Sequence, residues 1–514
     1  MKQKIIYLFL SLSALLLFSQ EGFAAVTETM GVTAIEGTTE GGHGHVPVWA
    51  VIPFATLLIM IATGPLFYEK FWHHNYPKVA VILAAVVVLY YIFGLHNTHG
   101  PIHAFFEYFQ FIALLSSLYI ASGGIMINID KKSTPMLNVV ILVIGAVIAN
   151  IIGTTGASML LIRPFMRVNR ERIHAYHIVF FIFMVSNLGG ALTPIGDPPL
   201  FLGFLKGVPF EWTIVHGLPM WFFAIAVLAI IFYFFDKKSL NKKNPFFASD
   251  TVKPISGKIE ITGSKNFIWL VVVIIAVFID PSKLSFVPGI IEHHGHFSIG
   301  FLSTMPEDAT IFSFVRELIM FAVAYLSYKL ADQKAIKGND FNFEPIREVA
   351  YIFIGIFGTM MPALELVAGF AASPEGAKLI SHNTLYWGTG VLSGILDNAP
   401  TYLNFLTAAL ASKGADINNV SDVVAFTKGG FADSILELQA ISIAAVFFGA
   451  MTYIGNGPNF MVKSIAEQTG IEMPSFFGYI LRYSLPILLI VLVMVWFLFF
   501  FNESVTLGWN ALFA

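Results

Sequence analysis

Apolar runs long enough to cross a bilayer recur along almost the whole chain, and this recurrence limits the available folds more than any other feature. Twelve fall at about 47–66, 79–95, 104–127, 135–162, 174–205, 213–235, 267–279, 309–328, 349–370, 385–411, 438–466 and 477–501. An α-helix needs roughly 17–25 apolar residues to span about 30 Å of hydrocarbon, whereas a β-barrel would show short alternating segments. Composition agrees, with 56% hydrophobic and 12% charged residues, against about 45–50% and 25% in soluble domains. The expected fold is an all-α polytopic membrane protein whose first partner is the lipid bilayer. A net charge of −3 gives no sign of a nucleic-acid partner, and the lack of Cys excludes disulfides, thiolate metal sites and Cys nucleophiles.

Residues 1–25 carry Lys2 and Lys4, an apolar stretch from Ile5 to Phe18 and small residues at Ala24 and Ala25, the pattern of a signal peptide. Residues 26–46 then form a polar periplasmic tail, expected to be disordered. Residues 47–235 read as an N-terminal transmembrane half, 236–266 as a basic cytoplasmic linker whose charges need no partner, and 267–514 as a C-terminal half. Two short His clusters, at 43 and 45 and at 293, 294 and 296, read as solvated external loops.

Two apolar runs are interrupted midway by small polar residues, "GTTGAS" from Gly153 and "LDNAPT" from Leu396. Lys131 and Lys132 precede the first, while Arg163, Arg167, Arg170 and Arg172 follow it, so both its ends face the same side. Both interrupted runs therefore read as re-entrant hairpins. Threading the chain on that basis from an external N-terminus puts 21 loop cations inside and 5 outside, which fits the inner membrane of a bacterium.

An internal repeat underlies the pattern. "GALTPIGDPP" from Gly190 returns as "GAMTYIGNGP" from Gly449 at an offset of 259, and "VIANIIGTTGAS" from Val147 aligns with "VLSGILDNAPTY" from Val391 at an offset of 244. Each half holds a hairpin followed by a broken helix, and the threading makes the halves inverted. Inverted halves with broken helices in matching places are the pattern of secondary transporters, which bind substrate at the midplane where freed backbone groups point.

Asp197 sits in one break, and a carboxylate at the bilayer centre costs about 2.5–3.5 kcal/mol unless it is paired, protonated or cation-bound. Asp397, at the second hairpin tip, is its natural companion, and the pair suits sodium. Asn187, Thr193, Asn398, Thr401, Thr452 and Asn456 supply the oxygen donors a hard cation takes. Thr154 and Thr155, at the acid-free first tip, offer hydroxyls and N–H groups that could hold a carboxylate instead. Glu107 and Glu365, within apolar runs, are candidates for a proton relay, and Arg316 with Glu317 reads as a structural ion pair. No catalytic residue is assigned, and no cofactor is expected beyond transported or coupling Na+ and H+.

The broken-helix string from Ser186 to Ala191 with Pro194-Ile195-Gly196-Asp197, together with the hairpin Leu396-Asp397-Asn398-Ala399-Pro400, resembles sodium/proton antiporters of the NhaD type. These belong to the ion transporter superfamily, alongside citrate and arsenite carriers. The resemblance runs from about residue 47 to 501 and implies that Asn187, Asp197, Asp397 and Asn398 are ion-site residues, with Thr193 and Thr452 nearby. It also implies a homodimer, a frequent state in the superfamily. Where such antiporters carry Asp-Asn at the first tip, this chain has Gly153-Thr154, a departure towards the putative citrate-carrier branch. Three functions remain open: sodium/proton antiport, sodium- or proton-coupled transport of citrate or another di- or tricarboxylate, and intramembrane aspartyl proteolysis. The last expects Gly-x-Gly-Asp, and Pro194 fills the first glycine position.

The threading makes a direct prediction. A reporter fused after Lys243 should behave as cytoplasmic, and one fused between Lys413 and Lys428 as periplasmic. Recovery of both on one side of the membrane would refute the inversion.

Overall fold

Backbone polar groups in hydrocarbon must be satisfied within the chain, so the apolar runs fold as helices wherever proline and glycine allow. A computed structural model describes residues 46–240, 257–293, 295–306 and 309–513. The signal peptide, nearly all of the tail, His43, His45 and His294, and the middle of the linker lie outside the described residues. Nine of the described helices are long and apolar enough to cross a membrane, which gives the nearly all-helical polytopic architecture.

The first part of the chain comprises α1 (Ile52–Phe67), α2 (Glu69–Leu89), α3 (His99–Gly123), α4 (Pro135–Val168), α5 (Ala175–Met184), α6 (Pro198–Leu205) and α7 (Trp212–Lys238). The second comprises α8 (Asn266–Val277), α9 (Val315–Lys329), α10 (Glu344–Ala372), α11 (His382–Ile395), α12 (Asn398–Ala411), α13 (Ser434–Phe448) and α14 (Gly457–Gln468). A last span, Phe476–Phe501, follows.

Both interrupted runs fold back on themselves. In α4 the backbone leaves helical geometry at Gly153 (φ 78°, ψ 155°), a region open essentially to glycine alone. Gly145 and Leu161, equally far from that point along the chain, lie against each other: a Cβ on Gly145 would be 3.1 Å from the Leu161 side chain. In the second hairpin Gly388 faces the Phe405 ring in the same way. There the turn runs through Leu396, in extended conformation, to Asp397, whose carboxylate accepts from the Ala399 N–H at 3.0 Å and caps α12. The C-terminal piece of each broken helix packs against the other part of the chain, α6 against α12 and α14 against α4.

Strands are the departure from an all-helical expectation. Met126–Ile129 (β1) pairs antiparallel with Ile259–Thr262 (β2). Gly289–His293 (β3), His296–Gly300 (β4) and Thr310–Phe312 (β5) make a three-stranded sheet with β3 in the centre. The stretch from 279 to 309 is too rich in Gly and Pro for a helix, and the β3–β4 turn uses Gly295 at φ 77°. The run expected at 309–328 therefore begins as strand, and its helix starts only at Val315.

The linker expectation needs a correction. Helix α7 continues to Lys238, β2 occupies 259–262, and Asp236 is fully buried rather than solvated. Its carboxylate accepts from Arg172 Nη1 and Nη2 (2.7 and 2.6 Å), Tyr176 Oη (2.8 Å) and Asn138 Nδ2 (2.9 Å), with His177 Nε2 at 3.1 Å. Asn138 and Asn169, at the two ends of α4, exchange hydrogen bonds of 2.7 and 2.8 Å. The network closes the open end of the first hairpin and ties it to α5 and α7. Arg172, read from sequence as a loop cation, is the principal partner of that buried charge. Truncating it to Met should cost about 3–5 kcal/mol by stranding the carboxylate. Thermal unfolding in detergent measures this, and Arg170→Met, on an exposed neighbour, is the control.

Candidate functional site

At each break the helix stops where a glycine-containing turn takes its backbone out of the ladder. The two turns are built alike. Thr193 Oγ1 accepts from the Gly196 N–H at 3.0 Å, and Thr452 Oγ1 accepts from the Gly455 N–H at 3.1 Å. A Cβ on Gly196 would collide with the Gly190 carbonyl, and one on Gly455 with the Gly449 carbonyl. Asp197 and Asn456 occupy equivalent extended positions immediately before the helices that start at Pro198 and Gly457. The Gly196 carbonyl freed by the first break is taken up by the Thr154 N–H at 2.8 Å, joining that break to the first hairpin tip.

Asp197, only 1% exposed, is where the interrupted elements meet. Thr154 Oγ1 donates to its Oδ1 at 2.8 Å, Asn456 Nδ2 donates to the same oxygen at 2.9 Å, and Asn398 Nδ2 donates to Oδ2 at 2.6 Å. One donor comes from each hairpin tip and one from the other break. Thr154 and Asn398 are partners at the 244 offset, and Asp197 and Asn456 are partners at the 259 offset.

Two buried oxygens at this cluster have no hydrogen-bond partner, Oδ1 of Asn187 and Oδ1 of Asn398. Both side chains border Gly449: a Cβ there would lie 3.1 Å from Asn187 Oδ1 and 3.4 Å from Asn398 Nδ2. The Asn187 amide nitrogen is held by the Ile182 carbonyl (2.8 Å) and Asn459 Oδ1 (2.6 Å), which fixes where its oxygen points. A buried, unpaired amide oxygen is costly unless something donates to it or coordinates it. A carboxylate with two such oxygens is a donor set that fits a hard cation.

The remaining sequence candidates divide into braces, cavity wall and remote pairs. Thr193 donates to the Asn150 carbonyl and with Thr452 braces the breaks, while Thr401 donates to the Asp397 carbonyl at 2.9 Å and braces the second hairpin tip. Asp397 and Thr155 line a cavity of about 370 Å3 that also reaches Asn398 and Asn456. Glu107 is ion-paired with Lys206 at 2.6 Å, and Glu365 accepts from Tyr91 Oη at 2.8 Å. Arg316 and Glu317 do form an ion pair, at 2.7 Å, and Arg316 also reaches Asp280 and Gln110.

Sequence reading missed Asn459 and Arg163. Asn459 holds Asn187 and also donates to the Gly449 and Thr452 carbonyls, yet lies one residue beyond the repeated string. Arg163 lines the cavity wall, where its Nε is 3.7 Å from Asp340; its place in a cation-rich run concealed that role. The first tip's departure from Asp-Asn also acquires a backbone reason. Any side chain at Gly153 would be strained at φ 78° and would crowd the Ile195 carbonyl, 3.2 Å from the Cβ position.

Residues 43–500 match the family described as "Putative citrate transport". The chain belongs to that family. No curated protein sequence matches it. Family membership and the nine described helices long and apolar enough to cross a membrane together make the protein a multi-pass membrane transporter of a small solute.

The breaks can be tested through their glycines. Gly196→Ala and Gly455→Ala should each abolish transport, because the added carbon meets backbone that cannot move without opening the turn, and overpacking of this kind costs about 1–3 kcal/mol or more. Gly457→Ala, whose Cβ would meet nothing within 4 Å, should transport normally. Flux measured with matched amounts of reconstituted protein separates the outcomes.

Proposed function

We propose that the protein is a secondary active transporter that exchanges sodium for protons by alternating access in a bacterial inner membrane. The cluster around Asp197 carries this reading. Among the described residues, what converges there is one carboxylate with hydroxyl and amide groups, two buried amide oxygens without partners, and neither Lys nor Arg. The adjoining cavity is also acidic, with Asp340, Glu344, Glu348 and Asp397 against Arg163 and His73. Such an environment favours a cation over a multiply charged anion. Sodium and protons would occupy the Asp197 and Asp397 carboxylates in turn, so that each displaces the other.

The pairing of Thr154 with Asn398 and of Asp197 with Asn456 at one point supports two inverted halves whose equivalent breaks face each other. Alternating access then amounts to one half rocking against the other around the shared cluster. A homodimer is the assembly this reading carries from its resemblance.

A second reading is cation-coupled transport of citrate or another small carboxylate. The family's description favours it, as do Arg163 on the cavity wall and the hydroxyls of Thr154 and Thr155 at the acid-free tip. The cation cluster would then serve as the coupling site.

Proteoliposomes loaded with a pH-sensitive dye decide between the readings when labelled citrate is followed in parallel. Sodium-driven proton movement without citrate uptake is expected, and Asp197→Asn or Asp397→Asn should each abolish it while the protein still inserts and folds. Near-normal exchange by either variant at saturating sodium would remove that acid from the coupling site. Citrate uptake that depends on sodium and falls at least tenfold in Arg163→Gln would establish the carboxylate reading instead.

A further inference from the structure

A group of potential metal ligands lies far from Asp197 in sequence and construction. His99 and His103 stand one turn apart at the start of α3, and Glu292 lies on the central strand β3. His99 Nδ1 is 3.1 Å from Glu292 Oε2 and 3.3 Å from Oε1, while His103 Nε2 is 3.7 Å from Oε2. One ligand atom from each of the three residues lies within 4.8 Å of the other two.

We propose that His99, His103 and Glu292 form a binding site for a divalent transition metal of the zinc class. Three observations converge on it. The first is spacing: zinc bonds of about 2.0–2.1 Å in a tetrahedron set ligand atoms about 3.3–3.4 Å apart, and the two His–Glu separations bracket that value. The second is chemistry, since two imidazoles one helical turn apart with a carboxylate from another element make a borderline-soft N,N,O set that zinc takes and magnesium or calcium does not.

The third is the charge and the ring nitrogen left uncompensated without a metal. Glu292 is 7% exposed, and among the described residues no Lys or Arg pairs with it. His103 Nε2 is buried with no hydrogen-bond partner, although it faces that carboxylate. A bound metal would neutralise the carboxylate, which otherwise meets the His99 imidazole, ligate His103 Nε2, and leave a fourth position for water or an external ligand. His99 remains half exposed at the mouth of the site, which gives the metal a route in.

The site has a mechanical connection to the transport cluster. His99, His103 and Glu107 follow one another at intervals of four along the same face of α3. Glu107 is ion-paired with Lys206, which directly follows α6, and Asp197 directly precedes that helix at its other end. A metal that pins β3 to α3 therefore also stiffens the support of α6. This inference does not depend on which solute is carried.

The test uses the full chain in detergent, purified without a polyhistidine tag, with Zn2+ followed by calorimetry and Co2+ by visible absorption. One Zn2+ per chain is expected at this site, with Co2+ giving the intense bands of tetrahedral coordination, and with affinity falling at least tenfold in His103→Ala and in Glu292→Gln. His99→Ala removes an exposed ligand from a folded protein, so loss of binding there cannot be ascribed to misfolding. His293→Ala combined with His296→Ala should leave the affinity unchanged. An absence of saturable Zn2+ binding, or binding that survives His99→Ala and Glu292→Gln but disappears in the His293/His296 variant, overturns the assignment.

Discussion

A single buried carboxylate organises this protein. Asp197 cannot remain in a low-dielectric interior without partners, and it obtains them from Thr154, Asn398 and Asn456. Each donor is delivered by a segment that has stopped being a helix: two hairpin tips and the opposite break. Releasing backbone from four helical segments inside a membrane is itself expensive. The arrangement is tolerable because the released groups satisfy one another, as when the Thr154 N–H takes the Gly196 carbonyl. Any movement that separates the two parts of the chain must break bonds to Asp197, so occupancy of that carboxylate and the relative position of the parts are one problem.

Around this cluster the polar residues divide by task. Thr193 and Thr452 each accept from the glycine N–H three residues on and so hold the two turns, while Asn459 reaches across to orient Asn187. The outcome is a pair of amide oxygens that point into the cluster without donors, beside a cavity lined by acids. Away from it, buried charge is used for fastening. Asp236 with Arg172 locks the open end of the first hairpin, and Glu107 with Lys206 anchors the end of α6. Losing either partner of such a pair strands the other as a buried charge and destabilises the fold, so these pairs fasten the frame around the cluster.

The sequence by itself determined the membrane class, the positions of the two hairpins and two breaks, and the identity of Asp197 and Asp397 as acids placed where an acid is costly. Those features are local: apolar length, helix-breaking residues and a repeated string are all read along the chain. It also marked Thr154 with Asn398, and Asp197 with Asn456, as equivalents through the offsets of 244 and 259. Only the tertiary structure decided that these four residues meet, because an offset records likeness and says nothing of how two halves interlock. The same holds for Asn459 opposite Asn187, 272 residues away, for Glu292 against His99, 193 residues away, and for the burial of Asp236 at the edge of an apparently solvated linker. Short polar side chains carry no periodicity that reveals a distant partner, so their pairing becomes visible only once packing has chosen which helix faces which.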